Sequence, residues 1–108
     1  MFVNLLPHPV DLFDDDGELV GSIPTTGAVA RCRESRQVIG VVDGVRLTRT
    51  VFEREVDNLP GPRPGTYYIV SRPVAEVLPE RDDLVVPDEL VRNGRGEIVG
   101  CRSLCRCA

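Results

Sequence analysis

The sequence predicts a mainly β protein, a small antiparallel barrel or roll built from hairpins with one short helix. Three observations carry that expectation. Glycine and proline occur ten and nine times in 108 residues, so short strands rather than helices fit between the punctuation marks. Three stretches read directly as hairpins. Only one stretch has a helical look.

The first hairpin sets Val10–Phe13 against Glu18–Ile23 across the turn Asp14-Asp15-Asp16-Gly17. A strand over Val29–Arg33 follows. In the second hairpin Gln37–Val42 and Val45–Val51 flank Asp43-Gly44, a pair suited to a type I′ turn because both central residues need positive φ. The segment Leu59–Gly65 holds three prolines, which remove donors and fix φ, so it reads as a crossing loop. Tyr67–Ser71 is a strand. Arg72–Leu78 is the helix, with Pro73 at its first turn and Ser71 as N-cap, closed by Pro79. The third hairpin runs Glu89–Arg92, turn Asn93–Gly96, then Glu97–Gly100. Gly17-Glu18-Leu19-Val20-Gly21 and Gly96-Glu97-Ile98-Val99-Gly100 share one pattern, which is either an internal repeat or two instances of the same hairpin chemistry. The whole chain reads as a single domain, 1–108, with residues 102–108 as a frayed C-terminal tail.

Composition narrows the chemistry. Thirteen arginines stand beside no lysine, which excludes Schiff-base catalysis and a phosphate-loop lysine. One histidine, His8, excludes a site built on two imidazoles. A net charge of −4 argues against a general nucleic-acid binder. That charge is uneven: residues 1–30 hold five acids and no arginine, and residues 31–63 seven arginines against five acids. Such alternation suits either subunit contacts or an ordinary solvated surface. No run approaches the apolar length of a membrane span, and the N-terminus lacks the pattern of a signal peptide. The expected setting is therefore cytoplasmic, with free thiols at Cys32, Cys101, Cys105 and Cys107. Their spacing offers no paired Cys-x2-Cys turn, so neither metal nor cofactor is expected.

Arginine forks grip phosphates and carboxylates in bidentate fashion, which makes an acidic protein with a few inward arginines a plausible binder of a small phosphorylated ligand. His8, stiffened between Pro7 and Pro9, is either a ligand contact or general base or a structural group that sets the chain's direction through a backbone hydrogen bond. An enzyme reading needs His8 to meet Ser71 or Asp83 within hydrogen-bond reach.

The runs Asn4-Leu5-Leu6-Pro7-His8-Pro9-Val10, Ile23-Pro24-Thr25-Thr26-Gly27-Ala28-Val29-Ala30-Arg31, Leu59-Pro60, Gly65-Thr66-Tyr67-Tyr68-Ile69-Val70-Ser71, Arg81-Asp82-Asp83-Leu84-Val85-Val86-Pro87, Leu90-Val91-Arg92 and Gly96–Cys101 form a pattern. It resembles a group of uncharacterised small proteins of tailed phages, prophages and actinobacterial genomes. A GC-rich gene of that kind also accounts for arginine displacing lysine. The resemblance implies that the polar members of the pattern, Asn4, His8, Arg31, Ser71, Arg81, Asp83 and Arg92, are the binding candidates. It implies no catalytic residue and no assigned activity. The expectation is a phage-type binding protein for a small anionic ligand, such as a nucleotide or a host signalling nucleotide, serving to counter host defence. Arg31, Arg81 and Arg92 would meet the charge, with Asn4, His8 and Ser71 giving orientation. The alternative is an interaction or assembly module that docks a host or virion protein. A homo-oligomer is expected on either reading, because a core this small gains from burying an edge strand against a copy.

Overall fold

The computed structural model describes residues 1–107. Its elements in chain order are β1 (Phe2–Asn4), β2 (Val10–Phe13), β3 (Leu19–Ile23), β4 (Arg31–Val42), β5 (Val45–Asp57), β6 (Tyr67–Ile69), α1 (Arg72–Val77), β7 (Leu84–Arg92) and β8 (Ile98–Cys105). Six strands form one curled, nearly closed sheet in the order β1-β6-β7-β8-β2-β3, while β4 and β5 pair only with each other. The mainly β, barrel-like class with a single short helix is what the sequence predicts.

All three hairpins are present, as β2–β3, β4–β5 and β7–β8. Asp43 and Gly44 take φ of 50° and 76°, the pair of left-handed residues that a type I′ turn demands. The sheet is not purely antiparallel, however. β1 runs parallel to β6, β6 to β7, and β2 to β8, because the loop 59–65 and α1 act as crossovers rather than tight turns. The strand expected over Val29–Arg33 is the foot of a longer one, since β4 begins at Arg31 and keeps pairing with β5 from Asp57 to the tip. The tail also differs from expectation. Residues 102–105 belong to β8, with Leu104 opposite Pro87 and Cys105 opposite Val86; Ala108 lies outside the described residues. The two Gly-Glu-(Leu/Ile)-Val-Gly segments sit in the same sheet, on hairpins joined by the β8–β2 contact.

Side-chain alternation along β6 and β7 builds two cores. Tyr68, Val70, Leu84 and Val86 face α1 (Val74, Ala75) with Leu5 and Ala30. Ile69 and Val85 face the inside of the curl with Leu6, Val10 and Cys101. Strands buried on both faces read as continuous apolar runs, as Tyr67–Val70 and Leu84–Val86 do.

Asn4 joins the two ends of the sheet. It is fully buried; its Oδ1 accepts from the Leu6 amide at 2.9 Å, and its Nδ2 donates to the carbonyls of His8 at 3.0 Å and Ile23 at 3.1 Å. Ile23 ends β3, so this amide links edge strand β1 to edge strand β3. Thr26 Oγ1 adds a bond to the Asn4 carbonyl at 3.2 Å. A second close approach lies at Gly100, where a Cβ would run into the Asp11 carbonyl and the Phe13 ring; only glycine lets β2 settle against β8.

Asn4→Leu should cost about 2–4 kcal/mol in urea unfolding, because one amide and two carbonyls lose buried partners. Gly100→Ala should cost about 1–3 kcal/mol by the same measurement, since the backbone in its way must shift.

Candidate functional site

The segments that follow the parallel neighbours β1 and β6, with the middle of β7, line a cleft of about 480 Å³. From the end of β1 come Leu6, His8 and Pro9. β6 leads to Val70, Ser71 and Arg72, and the middle of β7 provides Val86, Pro87 and Leu90. The start of β8 closes the wall with Ile98, Val99, Gly100 and Cys101, and β2 adds Val10 and Asp11. The size and mixed lining are those of a small-molecule site, apolar walls with a few convergent polar groups. Beside it Glu89 takes φ 50°, an uncommon value for a residue with a side chain, next to the cleft residue Leu90.

Two of the sequence candidates, His8 and Ser71, meet at this cleft. His8 is exposed, and its Nδ1 lies 2.9 Å from the Pro9 carbonyl. A carbonyl only accepts, so Nδ1 is the donor of this bond, and Nε2 is an acceptor whenever the ring is neutral. That bond is the structural role the sequence offered as an alternative, and it orients the ring at the cleft. Ser71 occupies the N-cap position of α1 with extended backbone but makes no capping bond through its side chain.

The remaining candidates lie elsewhere. Asn4 spends its side-chain amide on the seam of the sheet. Arg81 and Asp83 hold each other in a two-pronged pair, with both bonds at 2.8 Å, and Arg81 also donates to the Pro60 carbonyl at 3.0 Å. The pair pins the proline loop to the start of β7. Arg92 donates to the Gly96 carbonyl at 2.8 Å within its own hairpin, and Arg31 is exposed at the foot of β4. Asp83 borders a second depression of about 430 Å³ with Arg63, Tyr67, Asp82 and Arg106.

The cation at the cleft is Arg72, which sequence reasoning assigned only to the helix. Its side chain is 56% exposed, with Glu76 4.0 Å away and the Cys107 sulfur at 3.6 Å. The signal lay in its place directly after Ser71 and before Pro73: a proline at the helix start fixes where the chain leaves the strand. The thiols are packing groups here. Cys101 is fully buried in the inner core, and burial pushes its thiol pKa up, away from the reactive thiolate. Cys105 and Cys107 pack on the outer core.

No family model, curated protein or solved structure matches the chain. The functional reading therefore rests on its own geometry.

Arg81 holds the Asp83 carboxyl below the usual range through its hydrogen bonds, against the opposing push of burial. A folded-state value below the unfolded one means the pair's contribution is complete above about pH 4 and is lost as pH falls through the folded value. Asp83→Asn should accordingly lower stability near neutral pH by about 2–3 kcal/mol. It should also flatten the fall in unfolding free energy below pH 4, measured by urea titrations at successive pH values.

Proposed function

We propose that the protein binds a small anionic ligand with a planar or apolar body, of which a nucleotide is the leading case, in the cleft between the ends of β1 and β6 and the β7–β8 hairpin. The observation that carries this reading is that Arg72, Ser71 and His8 line one cleft whose other walls, Asp11 apart, are mainly apolar. A ligand fitting that lining needs an acidic group for the guanidinium, a hydroxyl or amino donor for His8, and an apolar face for Leu6, Leu90 and Ile98. A nucleotide carries all three. Such a ligand agrees with the anion-binding expectation drawn from the sequence, with Arg72 in the place there given to Arg31, Arg81 and Arg92. A role in countering host defence by sequestering a signalling nucleotide belongs to the same proposal. A second reading, an interaction module for a host or virion protein, draws on the exposed β4–β5 ribbon.

The test is a thermal-shift and calorimetric screen against mononucleotides and cyclic nucleotides, since a ligand specific for the native state raises the melting temperature. At least one should bind. Arg72→Glu should weaken it about 100-fold or more without lowering the melting temperature of the free protein. Arg31→Glu, outside the cleft, should leave affinity unchanged. Absence of any binder, or loss of binding in Arg31→Glu but not in Arg72→Glu, would falsify the proposal.

A further inference from the structure

The depression of about 430 Å³ beside Asp83 is built from three segments remote in sequence. The proline loop and the start of β6 bring Arg63, Thr66 and Tyr67, the approach to β7 brings Asp82 and Asp83, and the chain after β8 brings Arg106. The loop is fixed at three points. Arg81 donates to the Pro60 carbonyl, the Tyr68 hydroxyl donates to the Gly61 carbonyl at 3.2 Å, and the Thr66 amide closes back on the Arg63 carbonyl at 3.2 Å. Arg106 stands between Cys105 and Cys107, which both pack on the outer core, so the alternation of an extended chain turns its side chain outward. Walls held in this way are in place before a ligand arrives, which lowers the cost of binding one.

Three side chains here lack the partners that their counterparts have. Arg33, Arg54 and Arg81 each hold a carboxylate. Arg63 and Arg106 form no ion pair and no side-chain hydrogen bond among the described residues, although Asp82 and Asp83 line the same depression. Asp83 is taken up by Arg81 through two bonds. The third is Thr66, which is nine-tenths buried, at 7% exposure, while its hydroxyl bonds to no group among the described residues. No sealed side-chain polar atom among those residues lacks a partner, so the Thr66 Oγ1 opens into the depression that it lines. Two unpaired guanidiniums and an unpartnered hydroxyl at one hollow are the donors that an oxyanion needs.

Charge and shape narrow the ligand. A phosphate monoester carries about −1.5 to −2 and three strong acceptor oxygens, which answers two guanidiniums as a single carboxylate does not. The Tyr67 ring, 44% exposed and 6.0 Å from the Phe2 ring in a tilted pair, supplies a flat apolar wall beside the charge. Asp82 repels a ligand that is anionic throughout, so the negative charge must sit at one end of it.

We propose that this depression is a second binding site, which takes the phosphate of a small aromatic phosphomonoester between Arg63 and Arg106, with the Thr66 hydroxyl donating to a phosphate oxygen and the Tyr67 ring against the ligand's body. The site shares no residue with the cleft of His8, Ser71 and Arg72, so failure of either reading leaves the other intact.

Calorimetric titration with phenyl phosphate tests it, using the full chain with Arg72→Glu so that the cleft takes no part. Phenyl phosphate should bind at one site, more tightly than inorganic phosphate or benzoate. Arg63→Glu and Arg106→Glu should each weaken it about ten-fold or more, and Thr66→Val about five-fold, with the melting temperature of the free protein unchanged in the arginine variants. Tyr67→Thr should remove the advantage of phenyl phosphate over inorganic phosphate. No saturable binding at millimolar phenyl phosphate overturns the proposal. So does binding that survives either arginine substitution, or that benzoate matches.

Discussion

The fold depends on how a mixed sheet of six strands closes on itself. Its two edges, β1 and β3, share too few residues for a full ladder, and an open edge leaves unpaired backbone groups. One side chain bridges that gap. The Asn4 amide has a donor and an acceptor end, and both are used, on an amide two residues ahead and on carbonyls from two separate segments. Closing the curl here directs the chain through Leu6, Pro7 and His8 past the mouth of the cleft. A buried amide fully satisfied in this way specifies one register, because any slip leaves it unpartnered.

The same closure explains why His8, Ser71 and Arg72 collect at one cleft. Parallel neighbours β1 and β6 end facing the same way, so the segments after them converge without being close in sequence. His8 and Ser71 are 63 positions apart in the chain and share the cleft. The other polar members of the sequence pattern hold the frame: Asn4 at the seam, Arg81 with Asp83 under the proline loop, Arg92 in its turn. The polar members of that pattern are thus partly cleft-lining groups and partly fasteners, and composition alone cannot separate them.

The body and the β4–β5 arm follow different rules. In the body, Tyr68–Val70 and Leu84–Val86 are buried and uniformly apolar. The arm has the same β-branched character but no cover of its own, every residue from Arg33 to Glu55 except Gly40 being exposed.

Much of this was determined by the sequence by itself: the β class, the three hairpins from their Asp- and Asn-rich glycine turns, the proline loop, and the helix beginning at Arg72 with Pro73 in its first turn. These are local matters of φ, missing donors and side-chain period, so they are legible in a few neighbouring residues. Only the tertiary structure decided the parallel pairings, the joining of Val29–Arg33 to the second hairpin, and the place of residues 102–105 in β8. It also decided that Arg72 rather than Arg31, Arg81 or Arg92 stands at the cleft. Those outcomes depend on which distant strand supplies the hydrogen-bond partner. An arginine's neighbours in sequence do not reveal whether a carboxylate such as Asp83 or an open cleft awaits its guanidinium in space.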